Sequence, residues 1–196
     1  MLDVEVITEP AAAVAALDPV RSRLLAELSE PASAAALAGR VGIARQKVNY
    51  HLRTLEQHRL VAAAGERRWG GITERLLIAT AASYVVSPGA LGAVGADPGR
   101  SRDRLSASYL IAVAARAVRE VGELWRAARD ADKRLATLTV DAEIRFRSAA
   151  DRTAFTRDLS DAVTTLVERY HDESDPAGRS HRLMVASYPM PENEET

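Results

Sequence analysis

The chain has 196 residues, enough for one large domain or two small ones, and 47% of them are apolar, as in an ordinary globular protein. It contains no cysteine, which excludes disulfides, thiolate metal ligands and cysteine nucleophiles, and it has no apolar run long enough to span a bilayer. Its net charge is −1, so a surface that binds nucleic acid would have to be local.

The N-terminal segment predicts a short strand followed by helices. Residues 2–7 alternate apolar and acidic side chains, and a helix is expected over residues 10–17. Acids stand where a secretory signal would carry basic residues, so we expect a cytoplasmic protein. Asp18 and Pro19 predict the start of a second helix, because Asp caps helices and Pro favours the first helical position.

The following segment has the pattern of a helix-turn-helix. Ser33 is expected to cap a helix over residues 34–40, and residues 41–43 are expected to form a tight turn. A second helix is predicted over about residues 44–58, with one buried stripe formed by Val48, Leu52 and Leu55. Two short helices joined by a turn that contains glycine are typical of this motif.

Two strands are predicted after the second helix. Residues 60–64 and about 72–79 flank the segment GERRWGG at residues 65–71. Its glycine and arginine content favours a hairpin loop. The hairpin would form the wing of a winged helix-turn-helix.

Positive charge is concentrated in this part of the chain. Residues 40–75 carry a net charge of +5, whereas residues 1–39 carry −4 and the remainder carries −2. On a recognition helix, Arg and Lys pair with guanine, Asn and Gln pair with adenine, and charged groups and helix N-termini suit phosphate. The predicted DNA-binding residues are Ser33, Arg45, Gln46, Lys47, Asn49, Tyr50, Arg53, Arg67, Arg68 and Trp69.

A linker and a long helix are predicted next. Residues 87–104 are rich in Gly, Pro and Ser, which is typical of a linker. Over about residues 105–132, apolar residues recur at steps of four and three, a spacing suited to helix–helix pairing. The predicted dimer interface consists of Leu110, Ala114, Ala117, Val121, Leu124 and Ala128.

The C-terminal part predicts a strand, a helix and a strand. Residues 137–147 alternate strictly, residues 151–171 are amphipathic with helical spacing, and a last strand is expected at about residues 181–188. Most aromatic residues lie in this half of the chain, and small-molecule pockets are mainly apolar. Candidate ligand-binding residues are Tyr109, Trp125, Phe146, Phe155, Tyr170, Met184 and Tyr188; the alternative is that they form an ordinary core.

We therefore expect an α+β fold, with an N-terminal winged helix-turn-helix, then a long dimerisation helix and a small strand-helix-strand C-terminal domain. The first boundary follows the wing and the second precedes the long helix. The expected divisions are a DNA-binding domain at residues 1–86, a linker at 87–104, a dimerisation and ligand-sensing domain at 105–190 and a disordered tail at 191–196.

The DNA-binding segment resembles the ArsR-type winged-helix regulators over about residues 10–80. The matching motifs are Leu17-Asp18-Pro19-Val20-Arg21, the segment from Ala38 to Ile43, the segment from Val48 through His51-Leu52 to Leu55, and Leu60-Val61. The resemblance implies a dimeric repressor that an inducer releases from DNA. The chain departs from the pattern at Ala44, where a Ser or Thr cap is usual, and in lacking the cysteines of metal-sensing members.

The sequence carries no glycine-rich phosphate loop and no nucleophile elbow, so we expect no enzyme and no catalytic residues. The histidines and acids between residues 171 and 181 are interpreted as a solvated polar loop, so we expect neither a metal nor a cofactor. The expected function is a homodimeric regulator of double-stranded DNA, a repressor controlled by a small organic ligand. The alternatives are a regulator whose C-terminal half serves dimerisation and protein docking, and an enzyme that has borrowed a winged helix.

Overall fold

The computed structural model of the protein describes residues 1–69, 71–174 and 176–191. Its helices are α1 (Pro10–Leu17), α2 (Pro19–Glu27), α3 (Ala34–Val41), α4 (Arg45–Gln57), α5 (Ala107–Asp130) and α6 (Ala149–Tyr170). Its strands are β1 (Leu2–Ile7), β2 (Ala32–Ser33), β3 (Val61–Trp69), β4 (Ile72–Ala79) and β5 (Ala81–Val86). The predicted mixture of helix and strand is confirmed. The chain forms two compact units, residues 1–135 and residues 136–196. The predicted tail lies outside the described residues from position 192 onward.

The first four helices enclose the main core of the first unit. The carboxylate of Asp18 caps α2 by accepting hydrogen bonds from the backbone N–H groups of Val20 and Arg21, each at 3.0 Å. Pro19 occupies the first position of α2, as the sequence predicts. The most deeply buried side chains of this core come from α2, α3 and α4; they are Leu24, Leu28, Leu37, Val48 and Leu55.

Local capping sets the turn between α3 and α4. The hydroxyl of Ser33 accepts a hydrogen bond from the backbone N–H of Ala36 at 3.2 Å, which caps α3. Gly42 ends α3 with a φ of 70°, a left-handed conformation that glycine adopts without strain. The chain then enters α4 at Arg45 after Ala44, which supplies no capping side chain.

The wing is longer than the sequence predicts. β3 and β4 form an antiparallel hairpin from the Val61–Ala79 pair to the Trp69–Ile72 pair, and β2 adds a short third strand on the other side of β4. The predicted first strand ended at residue 64, whereas β3 continues through a bulge between Ala63 and Gly65, and the φ of Gly65 is 116°. Gly65 suggested the start of a loop in the sequence, whereas in the structure it allows a bend within β3.

A second sheet, not expected from the sequence, joins the start of the chain to the end of the wing. β1 and β5 run parallel and pair from Leu2–Ala81 to Ile7–Val86. The phenol of Tyr84 in β5 donates a hydrogen bond to the carbonyl of Leu60 at 2.7 Å, which fixes β5 against the end of the α4–β3 connection.

The segment predicted as a linker, residues 87–104, is folded against α5 in the structure. It contains two short 3-10 helices, Pro88–Val94 and Pro98–Arg100, and both contact α5. The Ser87 hydroxyl and the Asp97 carboxylate cap them, and Pro98 is buried. The Gly, Pro and Ser residues of segment 87–104 therefore form capped turns and not a flexible linker.

In the second unit, α6 confirms the predicted helix, but the two predicted strands are not formed. Ser148 caps α6 through the backbone N–H of Asp151 at 3.0 Å, and the rings of Phe146 and Phe155 lie 5.3 Å apart. Within the described residues, neither 137–147 nor 181–188 is paired as a strand. A strand needs a partner for its backbone hydrogen bonds, and an alternating sequence cannot supply one by itself.

Candidate nucleic-acid interface

Helix α4 is anchored by one stripe and presents the rest of its surface to solvent. Val48, Leu52 and Leu55 are buried in the core, and they share one face of the helix. The residues on the outward side of the first turns are all exposed; they are Arg45, Gln46, Lys47, Asn49, Tyr50 and Arg53. This arrangement leaves hydrogen-bonding side chains free to reach base edges in a major groove.

Tyr50 is the most prominent apolar group on this face, with 66% of its surface exposed. Its ring meets the half-buried ring of His51 edge-on, with the centroids 5.3 Å apart. The contact limits the directions in which Tyr50 can project from the helix.

The N-terminus of α4 is uncapped by any side chain. Ala44 precedes the helix with an extended backbone, φ −58° and ψ 137°, and forms no side-chain hydrogen bond to it. The first backbone N–H groups of a helix have no intrahelical acceptor, so they attract anions such as phosphate. Because Ala44 stands where a Ser or Thr cap is usual, no side chain accepts hydrogen bonds from these N–H groups, which lie beside Arg45.

Strand β3 of the wing carries one paired and one unpaired arginine. Arg67 of β3 lies opposite Glu74 of β4, and its Nη2 is 2.9 Å from the carboxylate Oε2. The hydrogen bond from Arg67, followed by one from Ser33, lowers the pKa of Glu74 below its ordinary value. Arg68 is exposed, and no ion pair involving it occurs in the described part of the chain. The side chain of Trp69 lies outside the described part of the structure.

The expectation that the Ser33 side chain contacts phosphate is corrected by its position. Ser33 is 2% exposed, and its hydroxyl accepts a hydrogen bond from the N-terminus of α3. A side chain buried in this way cannot reach a DNA backbone. Ser33 instead joins the start of α3 to the wing.

Sequence reasoning missed an ion pair that holds the wing against α4. Both terminal nitrogens of the Arg75 guanidinium, Nη1 and Nη2, donate to the carboxylate of Glu56, Nη1 at 2.9 Å, and this pairing raises the pKa of Arg75. Glu56 lies near the end of α4 and Arg75 lies on β4. The opposite charges were visible in the sequence, but nothing in their spacing of 19 residues indicated that they meet.

The basic segment keeps several charges available after its internal pairs are formed. Arg40, Arg67 and Arg75 have acidic partners in Glu27, Glu74 and Glu56. Among the residues that the structure describes, four predicted contact residues form no ion pair; they are Arg45, Lys47, Arg53 and Arg68. Three of these lie on α4 and one lies on the wing, which is the distribution that a winged helix presents to a duplex.

Among the seven candidate ligand residues, Phe146 and Phe155 contact each other within the second unit. Tyr109 and Trp125 lie half-buried on α5 of the first unit, and the other five belong to the second unit. Tyr170, Met184 and Tyr188 are exposed. A shallow open depression on α5 is lined by Glu120, Glu123, Leu124 and Ala127, and it includes none of the seven.

The predicted dimer seam lies on the side of α5 that faces away from the sheet formed by β1 and β5. Ala112 and Gly122 are the buried residues of α5, and Gly122 faces Val6 of β1. Successive residues of a helix turn by about 100°, so Val121 and Leu124 project away from that buried side. Val121 and Leu124 are exposed, as is Ala114, whereas Leu110, Ala117 and Ala128 are half-buried.

The described residues contain no group of three His, Asp or Glu side chains placed to hold a metal, and Asp175 of the polar loop lies outside them. No helix in the same residues is both long and apolar enough to cross a membrane.

A comparison with protein families matches the region that contains α2, α3 and α4. Residues 16–62 match the helix-turn-helix domain family. The helix-turn-helix indicates a DNA-binding transcription regulator, and the hairpin of β3 and β4 supplies the wing. No curated protein matches the chain. The match ends at the start of β3, so it does not distinguish among winged types.

Proposed function

We propose that the protein is a homodimeric repressor of the ArsR type that places α4 of each subunit in a major groove of DNA. The observation that carries this proposal is the exposed polar face of α4, which lies in a segment of net charge +5 and holds three cations without ion-pair partners in the described chain. Residues 1–86 would bind DNA, and residues 105–190 would provide dimerisation and sensing.

Dimerisation is proposed through the α5 seam. Val121 and Leu124 are exposed and apolar, and the other apolar residues of the seam recur at helical spacing along the whole length of α5. A second copy would bury this stripe and set the distance between the two recognition helices. A pseudo-palindromic site with half-sites about one helical turn apart would then fit the dimer.

The first unit offers a physical route between α5 and the wing. The guanidinium of Arg126 on α5 donates to the carbonyl of Val6 in β1 at 2.7 Å and to the Thr8 hydroxyl at 3.1 Å. β1 pairs with β5, and β5 follows β4 of the wing after the single residue Thr80. A ligand that binds two arrangements of the dimer with different affinity would therefore change the spacing of the DNA-binding elements.

A second candidate keeps DNA binding but drops the ligand. In the described part of the second unit no residue is buried, so the apolar side chains there enclose no cavity within one chain. This observation favours a C-terminal half that serves dimerisation and docking. Thermal melting against panels of small apolar molecules separates the two candidates, since a ligand that binds the folded state raises the melting temperature.

Selection of bound fragments from genomic DNA tests the proposed function. We expect wild-type protein to enrich fragments that share a two-fold related motif. A variant with both Arg45 and Gln46 changed to Ala should lose that motif and keep weak general binding. Enrichment without any shared motif would contradict a sequence-reading role for α4.

A further inference from the structure

The second unit exposes the apolar face of a strand-like segment that has no partner in its own chain. Leu138, Val140 and Ile144 are 88%, 85% and 49% exposed, and no described residue from 136 to 191 is buried. The segment 137–147 alternates apolar and polar residues as a half-buried strand does, yet no strand pairing forms within the described chain. The described part of the chain therefore leaves this face largely uncovered.

The polar face of this segment carries an ordered charge pattern. Asp141 and Glu143 are acidic, and Arg145 and Arg147 are basic. The four charged residues occupy every second position of the segment, with both acids before both bases. Arg147 lies 3.5 Å from Asp151, but its side chain is 93% exposed and so is free to move. In the described structure Asp141, Glu143 and Arg145 form no ion pair.

We propose that residues 141–147 of two copies pair as antiparallel β-strands across a two-fold axis at Ile144, with α6 of each copy beginning just beyond the paired segment. This inference rests on the dimer proposed above and assigns it a contact outside α5. In this register Glu143 of each copy faces Arg145 of the other, and Asp141 faces Arg147. Four opposite-charge pairs therefore form along one face, and directly opposed pairs of this kind stabilise a sheet.

The charge order selects this arrangement over the other registers of the same strand. In-register parallel pairing would place each charge opposite its own copy, so that every pair would repel. Antiparallel pairing centred on Ala142 would place Asp141 opposite Glu143, and pairing centred on Glu143 would place that carboxylate opposite itself. Only the axis at Ile144 opposes every acid to a base.

The apolar face agrees with the same axis. Ile144 would lie against Ile144 of the other copy, and the small Ala142 would lie beside the large Phe146. Phe146 already contacts Phe155 of α6. In the dimer, α6 would therefore cover part of the apolar face of each strand. Pairing of a large with a small residue across the strands keeps the apolar layer even.

Charge-reversal variants used in combination test the proposal on the full chain. Glu143→Arg places like charges opposite each other in a homodimer, and so does Arg145→Glu. Each variant alone should self-associate on the order of tenfold or more weakly than wild type. Mixed together, they should form heterodimers well above the statistical share of about half, because every cross-strand pair is then again of opposite charge. Native mass spectrometry of mass-tagged copies measures this fraction.

Two controls separate this effect from unfolding and from general charge. The double variant Glu143→Arg with Arg145→Glu restores opposite charges within a homodimer, so it should regain wild-type self-association. Glu168→Arg and Arg169→Glu make the same charge changes on exposed positions of α6, and their mixture should show no preference. Far-ultraviolet circular dichroism of each variant checks that the helices remain.

Statistical mixing of the strand variants would overturn the proposal, as would unchanged self-association of each variant alone. That result would favour pairing of 137–147 with 181–188 inside one chain. The same samples are titrated with DNA, so the two proposals can fail separately. A dimeric wild type that binds DNA while the strand variants mix statistically would refute only the strand contact.

Discussion

Gly122 of α5 lies so close to Val6 of β1 that a Cβ placed on the glycine would stand 2.8 Å from Cγ1 of the valine. Real Cβ atoms do not approach other atoms so closely, so glycine is the residue that allows the long helix to rest on the first strand. The contact is reinforced by Arg126, which bonds the Val6 carbonyl, and by Arg129, whose Nη1 lies 2.8 Å from Glu5. The position of α5 relative to β1 and β5 depends on it.

Substituting Gly122 should loosen this contact. Gly122→Ala forces Val6 or α5 to shift, and overpacking of this kind costs about 1–3 kcal/mol. Urea unfolding monitored by circular dichroism measures the loss. Gly39→Ala is the matched control, because a Cβ at Gly39 meets nothing within 4 Å and the residue lies inside α3. Gly39→Ala should raise the free energy of unfolding by about 0.5–1 kcal/mol. Val6→Ala should relieve part of the Gly122→Ala defect; the absence of any relief would contradict the contact.

Two residues of the recognition helix should determine sequence preference. Arg45→Ala or Gln46→Ala should each weaken binding to the selected site by about 1–3 kcal/mol, because a good base contact has about that value. Fluorescence anisotropy with specific and random duplexes measures the difference. Gln57→Ala at the other end of α4 is an exposed control and should leave both affinities unchanged. An equal loss on both duplexes would assign Arg45 or Gln46 to phosphate.

The Arg67–Glu74 pair should restrain DNA binding by the wing. Glu74→Gln releases Arg67 and removes a negative charge near Arg45, so affinity should rise on any sequence. One additional phosphate contact would steepen the dependence of log affinity on log salt by about 0.9. Glu66→Gln removes a charge from the exposed side of β3 without removing the partner of Arg67, so it should steepen the slope less. Equal slopes for the two variants would show that Arg67 gains no phosphate.

The same pair makes a pH-dependent contribution to stability. The pKa of Glu74 is lowered in the folded protein, chiefly by the hydrogen bond from Arg67. Its stabilisation is therefore present above the pKa of the unfolded chain and disappears as the pH falls through the lowered value. The melting temperatures of wild type and Glu74→Gln should differ at neutral pH and converge as the pH falls through the lowered pKa of Glu74.

A missing cap should be easy to restore. Ala44→Ser supplies a hydroxyl to the open N–H groups of α4, and such caps contribute about 1 kcal/mol. The melting temperature should rise, while Ala127→Ser on the exposed side of α5 should not raise it. If Ala44→Ser leaves stability unchanged, the N-terminus of α4 is already satisfied by other groups.

The α5 seam should be sensitive to charge. Val121→Asp or Leu124→Asp would bury a carboxylate in the proposed dimer, whereas both residues are exposed in one chain. Analytical ultracentrifugation should show that each variant is largely monomeric with its helix content retained. Ala127→Asp, at an exposed position outside the predicted seam, is the control. An unchanged mass for Val121→Asp and Leu124→Asp would exclude this seam.

Local interactions made the DNA-binding half predictable. The caps at Asp18 and Ser33 and the glycine turn at residues 41–43 act within a few residues, and the structure has all three where the sequence predicts them. β5 was missed because its partner β1 lies 79 residues away along the chain at the Leu2–Ala81 pair. The burial of Ser33 followed from the wing folding back beside α3, which no local pattern indicates.

The C-terminal half was less predictable for a related reason. Alternation over 137–147 describes a face that is suited to burial, but it does not specify what covers that face. Glycine and proline at 87–104 suggested a free linker, whereas Pro98 is buried and Gly89 lies against Arg119 of α5. Both differences depend on tertiary partners, which the sequence pattern does not contain.

An anisotropy titration of the selected duplex and a scrambled duplex, over a range of salt concentrations, determines whether α4 reads DNA sequence. If α4 reads bases from a segment of net charge +5, the selected duplex should bind on the order of a thousandfold more tightly. Both affinities should fall steeply with salt, because cations on α4 and the wing displace ions from phosphates. Equal affinity for the two duplexes with a flat salt response would show that α4 does not read DNA.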